Sequence, residues 1–391
     1  MKKEILFVAH HLTIGGVQKS LISALRALDY DKYNVSLYLR KNRLDLLDYV
    51  DKRVNVIVNK NKKHYYRTVR AICLNLIKSI FGVFKNKNKE KIFQDKLNKY
   101  IVNSMMCDEE KLYFKDKVYD IAIAYAEGYT ALFVEKHVKA KKKIVFYQSS
   151  TDEIHDVNDY ALPNFDSIAV EHEDIKKLLP QWYRKVDNKQ IIIHENYTSP
   201  AFLREQSNEF AISTYNDKIT IATCARFARV KGLDLAVKAA KILKDKNYSF
   251  VWYLVGDGPE MPSIKQLVRD YELSEYVILE GMKKNPYPYM ASCDIYVQPS
   301  REEALSIAML ESQMLCAPMV STRTVGGEAM IVDGQNGLLA DIDEIALADA
   351  IEKLITDNGL REQIKQNLSS VDYSAEDYRY KKDWSNLLTN F

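Results

Sequence analysis

The chain has 391 residues, 47% of them apolar and 28% charged, with a formal net charge of +3. That length exceeds one ordinary core and points to two domains in a soluble, globular chain. Five scattered cysteines, with no CxxC and no Cys/His cluster, exclude a disulfide framework and a structural zinc, and they suit a reducing compartment.

The start, MKKEILFVAHHL, has the two lysines and apolar run of a secretion signal, but Glu4 interrupts the run and no small-residue cleavage site follows. It reads as a first strand of a cytoplasmic protein. No run of 18 apolar residues occurs, so no membrane span is expected. After EILFVAH, the segment GGVQKSLISALRAL has helical spacing at Val17, Leu21, Ala24, Leu25 and Leu28. YNVSLYLR and VNVIVN read as strands. From Lys60 to Tyr100 there are twelve Lys/Arg against Glu90 and Asp95, a local +10 that leaves the remainder at −7. Inside it lies AICLNLIKSIFGVFK, an apolar stretch broken by Lys78. Two readings stand side by side. The segment docks on an anionic membrane through charges such as Lys85, Lys87, Lys89 and Lys91, putting the protein peripherally at the inner face of the plasma membrane. Alternatively, it is a helix pair packed on its own domain with lysines facing water.

DIAIAYAEG, KKIVFYQSS, FDSIAV and KQIIIHENY continue the strand series, and TSPAFLREQSNEFAIST reads as a linker. A second alternating series follows: KITIATCARFA, then GLDLAVKAAKILKDK as a helix, SFVWYLVGDGPE, MPSIKQLVRDYEL as a helix, VILEGM, DIYVQPS and PMVSTRTVGG. Apolar strands alternating with helices mean parallel sheets covered on both faces. The expected class is α/β, with two Rossmann-like domains whose parallel sheets face across a cleft. The boundaries expected are 1–200, 201–373, and a closing helix in 374–391 that crosses back to the first domain.

Some residues in these series carry chemical potential. Gly15 and Gly16 open the first helix, where small residues let backbone N–H groups approach an anion. Arg226 and Lys231 follow a strand, one a fork and the other a point charge for a phosphate. Each of these features also has a plainer reading, as a tight turn and as a solvated basic loop. Gly256, Gly258 and Pro259 make a strand-to-helix turn. SREEALSIAMLES places Glu303 and Glu311 eight residues apart. A helix beginning near Ala304 would put Glu303 at its N-terminal edge and Glu311 about two turns in. TVGGEAMIVDGQNGLL reads as a further Gly-rich turn after a strand.

In this order, Arg226/Lys231, GDGP, EGMKKNPYPYMASCDIYVQPS, Glu303-x7-Glu311 and GG…DGQNGLL resemble the retaining GT-B glycosyltransferases of family 4, particularly bacterial members acting on surface polysaccharides. The resemblance is strongest over residues 219–340 and reaches the first domain through GGVQ. It implies that Arg226 and Lys231 hold a donor diphosphate and that Glu311 binds ribose hydroxyls. It also implies that Glu303 meets the donor sugar, Leu305 and Ser306 touch the phosphate by backbone, Gly256 lines the donor site, and Gly16 approaches the diphosphate from the other domain. The reaction implied moves a hexosyl unit from a nucleoside-diphosphate sugar, UDP-linked, to a hydroxyl of a cell-surface glycan or lipid-linked acceptor. No cofactor, metal or nucleic acid is expected. The DxD matches at Asp29–Asp31 and Asp341–Asp343 fall away from these residues.

The chain departs from the family pattern in places. Its EALS stands where EGFG is common, narrowing the donor choice. Gln148 stands where the first domain often has a histidine, and Glu328 comes too early after the GG turn to be the usual glutamate. His10, His11, His155, His172 and His194 read as surface or satisfied core residues. The rival readings are a nucleotide-sugar epimerase of the same shape, whose catalytic carboxylates find no clear match, and a non-catalytic partner subunit, which the intact Arg226, Lys231, Glu303 and Glu311 speak against.

Overall fold

The computed structural model describes residues 2–59, 112–149, 155–195, 197–214, 217–303 and 306–389. The basic segment 60–100, with Lys85, Lys87, Lys89 and Lys91, lies outside the described residues, so neither reading of it is tested. The chain divides into two compact units, Met1–Tyr197 with Arg379–Phe391, and Thr198–Tyr378.

Unit 1 is built on a parallel sheet of β1 (Lys3–Ala9), β2 (Tyr33–Leu39), β3 (Asn55–Val58), β4 (Val118–Ala124), β5 (Lys139–Tyr147), β6 (Ser167–Val170) and β7 (Ile191–Ile193). Their order is β3-β2-β1-β4-β5-β6-β7. Helices α1 (Gly16–Ala27), α2 (Tyr129–His137), α3 (His155–Ala161) and α4 (Glu173–Trp182) connect strands. Strands such as β1, with Ile5 to Val8 wholly buried, lack polar alternation because both sheet faces are covered.

Unit 2 repeats the plan with β8 (Ile219–Cys224), β9 (Phe250–Val255), β10 (Val277–Gly281), β11 (Ile295–Gln298), β12 (Met319–Thr322) and β13 (Leu338–Ala340), ordered β10-β9-β8-β11-β12-β13. Its helices include α5 (Pro200–Ser207), α6 (Leu233–Asp245), α7 (Met261–Asp270), α8 (Tyr287–Ser292), α9 (Ile307–Met314), α10 (Val325–Met330), α11 (Glu344–Thr356) and α12 (Asn358–Ser369). Two expectations need correction. The stretch read as a linker contains α5, started by Pro200 at its first position, where a missing N–H costs nothing. The GG turn is instead the body of α10, capped by the Thr324 hydroxyl, which accepts from Gly327 N at 3.1 Å.

The last helix, α13 (Ser374–Thr389), sends its C-terminal half into unit 1. There Trp384 lies against Phe146 (ring centroids 5.4 Å, interplanar 15°) and Phe7 (5.7 Å). Lys3 and Lys142 donate to the carbonyls of Leu388 and Leu387 at 3.3 and 3.4 Å, positive charge at the negative end of a helix. Burial pushes the Lys142 ammonium down to about 8.

His194, after β7, sits in this aromatic cluster. Its ring is 4.7 Å from Trp384, 5.3 Å from Phe146 and 5.7 Å from Tyr380. It is a core residue, as expected, but not a satisfied one: its Nε2 has no hydrogen-bond partner among the described residues. Burial pushes its pKa down to about 4. The unfolded chain takes up this proton near pH 6.5, whereas the folded chain resists until about pH 4. The resulting stability is complete above pH 6.5 and is lost as pH falls through 4. Between pH 7 and 5 the expected loss is about 2 kcal/mol, read as a falling midpoint in denaturant titrations. His194→Phe should remove that component, and identical pH slopes in the two proteins would contradict it.

Candidate functional site

In each sheet the first and fourth strands are neighbours with connections running to opposite sides. Open α/β sheets hold ligands outside the carboxyl ends of strands at such a switch point. In unit 2 these strands are β8 and β11, and Arg226, Lys231 and Glu303 lie in the loops that leave them.

Backbone contacts knit these loops together. Arg301 N donates to Val230 O at 2.7 Å. The Arg301 guanidinium grips Asp234, in the first turn of α6, through two bonds of 2.6 and 2.7 Å. Burial alone would raise the Asp234 carboxyl, but the Arg301 hydrogen bond and charge outweigh it and hold it below its ordinary value. Gly232 permits the crossing. Its φ is +64°, and a Cβ there would stand 1.9 Å from Pro299 O. Gly232→Ala should therefore be destabilising by more than about 1 kcal/mol, measured by denaturant unfolding; a variant as stable as the parent would show that the two loops do not meet this closely. Gly256 plays a similar part after β9, with φ +144° and a hypothetical Cβ 1.9 Å from Ala225 O, which presses the VGDGPE turn against the Arg226 loop.

Lys231 and Glu303 are brought together directly. The Lys231 Nζ lies 2.6 Å from Glu303 Oε2, with side chains 24% and 9% exposed. The same oxygen accepts from Ser300 Oγ at 3.2 Å and Gln298 Nε2 at 3.3 Å, and Gln298 also donates to Ser300 Oγ at 2.9 Å. Gly326 N, in α10, donates to Glu303 O at 2.7 Å, so a third strand end joins the set. Arg226 is exposed, and its guanidinium has no hydrogen bond or ion pair among the described residues.

The helix carrying Glu311 starts later than the sequence suggests. α9 begins at Ile307, with Ser306 as its cap accepting from Met309 N at 3.4 Å. Glu303 therefore lies in the preceding loop, not at a helix edge, and Glu311 sits little more than one turn in. The Ser306 hydroxyl ends the loop by capping the helix, a local preference that apolar periodicity alone does not reveal. Leu305 and Ala304 lie outside the described residues. Glu311 is 2% exposed, and Tyr287, equally buried, donates its hydroxyl to Oε1 at 2.7 Å. A buried carboxylate demands such a donor. Tyr287 gave no signal in the sequence, because it comes from another helix 24 positions earlier. Gln298 and Ser300 were readable in principle, as polar residues closing an apolar strand.

Gly16 belongs to unit 1, where it opens α1 after an extended Gly15. Near it in sequence, His11 Nδ1 lies 2.9 Å from Thr13 Oγ1, and burial, then Lys41 and Arg43, push its pKa down. Glu127, also missed in the sequence, follows β4 and takes the Gln148 backbone N–H at 2.9 Å and the Ser149 hydroxyl. Gln148 thus belongs to a polar set at a strand end. Glu328 faces Arg323 at 3.8 Å, outside the set around Glu303. The DxD aspartates have local roles. Asp29 pairs with Lys32 at 2.9 Å and accepts from Asp31 N, whereas Asp343 caps α11 through Ile345 and Ala346 N–H groups.

Residues 205–370 match the family model described as glycosyl transferases group 1. The chain is 33% identical over 156 residues to the lipopolysaccharide core biosynthesis glycosyltransferase LpsE of Rhizobium meliloti, which covers 40% of this chain and 45% of that protein. It is 28% identical over 156 residues to the capsular polysaccharide biosynthesis glycosyltransferase CapM of Staphylococcus aureus, covering 39% and 40%. The chain thus spans less than half the length of each of these relatives. In structure it resembles Anabaena Alr3699/HepE, solved in complex with UDP and glucose, with a TM-score of 0.66 over the whole of both chains at 14% identity. The chain has the GT-B fold of two Rossmann-like units, and its residues 205–370 are similar to the group 1 glycosyl transferases.

Proposed function

We propose that the chain is a retaining, family 4-like glycosyltransferase that moves a hexosyl unit from a UDP-linked sugar to a hydroxyl of a cell-surface glycan or lipid-linked acceptor. The observation that carries this reading is the Lys231–Glu303 pair at the β8/β11 switch point. Polysaccharide acceptors are supported by the names of LpsE and CapM, and the UDP-sugar donor by the HepE complex.

In this reading Glu311 accepts hydrogen bonds from the ribose, and Glu303 accepts from donor-sugar hydroxyls while Gln298 and Ser300 hold its carboxylate in place. Bond breaking leaves negative charge on the diphosphate. Lys231, already steered by Glu303, meets that charge together with the exposed Arg226, and fixed donors at this point stabilise the transition state more than the ground state. The backbone at Ser306 and Gly256 borders the phosphates. Unit 1 takes the acceptor. The work is done at the cytoplasmic face of the membrane, with residues 60–100 as the membrane-facing segment. No helix among the described residues is long and apolar enough to cross a membrane.

A panel of nucleotide sugars tests this. One member should be hydrolysed slowly without acceptor, releasing its nucleoside diphosphate, and the sugar should appear first in its original anomeric form by NMR. The reaction should proceed in EDTA, because Lys231 and Arg226 supply the charge a metal would otherwise provide. Inversion would refute retention, and silencing by EDTA with recovery in Mn²⁺ would refute metal independence. Inertness toward the whole panel would refute the transferase reading.

A further inference from the structure

We propose that Tyr287 is a positioning residue for the nucleotide: its hydroxyl fixes the Glu311 carboxylate in the orientation that receives the ribose. This rests on the reading of Glu311 given above. Tyr287 donates to Glu311 Oε1 at 2.7 Å, and both residues are only 2% exposed. In so dry a site this bond fixes one carboxylate oxygen, and a carboxylate deprived of it would change its orientation.

Tyr287 is itself held from behind. Its backbone N–H donates to Asn285 Oδ1 at 3.0 Å. The Asn285 amide donates to Gln206 O at 2.7 Å and Glu209 Oε2 at 2.6 Å, at the end of α5. The Tyr287 ring meets Phe202 of the same helix edge-on, with centroids 6.3 Å apart at 80°. The carboxylate is therefore braced through Tyr287 and Asn285 to the first helix of unit 2. Precise orientation matters because a ribose presents two neighbouring hydroxyls at fixed spacing, and a carboxylate turned out of their reach loses both bonds.

The test is calorimetric binding of UDP and of 2′,3′-dideoxy-UDP to the wild type, Tyr287→Phe, Glu311→Gln and the double variant. Tyr287→Phe keeps the ring against Phe202 and deletes one oxygen. The wild type should prefer UDP by about tenfold or more, the scale of a hydrogen bond to a charged group. Tyr287→Phe should cut that preference several-fold, Glu311→Gln should abolish it, and the double variant should match Glu311→Gln alone. In the transfer assay Tyr287→Phe should raise the donor KM with little change in kcat. Full preference retained in Tyr287→Phe but lost in Glu311→Gln would overturn the role of Tyr287 and leave the nucleotide site standing. Preference retained in Glu311→Gln, or no UDP binding by the wild type, would overturn the reading of Glu311 and this proposal with it.

Discussion

Replacing Lys231 by alanine should lower turnover about 10²-fold or more, the scale seen when one transition-state donor is removed. The structure adds a complication that can be tested. Lys231 sits 2.6 Å from Glu303, and the carboxylate is largely buried. Deleting the lysine leaves that charge, among the described residues, with the neutral donors Gln298 and Ser300, a destabilising arrangement. The double variant Lys231→Ala/Glu303→Gln separates the two effects. It should recover the stability lost in the single variant but none of the turnover. Steady-state rates and denaturant midpoints on the set decide this. Full turnover in Lys231→Ala would place the charge on the leaving group elsewhere. Arg226→Lys should also slow the reaction, since a point charge cannot reproduce the guanidinium fork.

Glu311→Gln should weaken nucleoside diphosphate binding roughly tenfold or more, because each hydrogen bond to a charged group contributes about 1.5–3 kcal/mol. Glutamine preserves shape and still accepts from Tyr287, so the fold should persist, with an unchanged circular dichroism spectrum and a similar unfolding midpoint. Calorimetric titration reads the affinity. Binding equal to wild type would return Glu311 to a structural role, as a buried acceptor for Tyr287.

Much of the architecture was visible in the chain because parallel strands covered on both faces leave uninterrupted apolar runs. IATC, FVWYLV and IYVQ all became strands where that pattern placed them. Repetition of the strand–helix alternation on both sides of residue 200 likewise marked two sheets. Positions set by local capping were harder to read. Ser306 and Thr324 each end a loop by accepting a backbone N–H, and this moved the start of α9 to Ile307 and turned the GG stretch into a helix. α5 was hidden because a short helix carrying polar residues has the composition of a linker.

The candidate site followed the same division. Lys231, Glu303 and Glu311 stood out through residue type and spacing. What holds them did not, because each support crosses between elements distant in sequence. Lys231 reaches Glu303 over 72 positions, Tyr287 reaches Glu311 over 24, and Arg301 reaches Asp234 over 67. Only the folded sheet order brings these together, placing β11 beside β8. Gly232 shows the same limit: in the sequence it read only as the first residue of a helix, and its approach to the Pro299 carbonyl required the fold.

The most direct test of the account is a crystal structure of the chain with UDP bound. The predicted result is a ribose whose hydroxyls donate to Glu311 and a diphosphate facing Lys231 and Arg226 at the ends of β8 and β11. A nucleotide seated elsewhere, or a ribose held by other residues with no contact to Glu311, would contradict the assignment of the donor site.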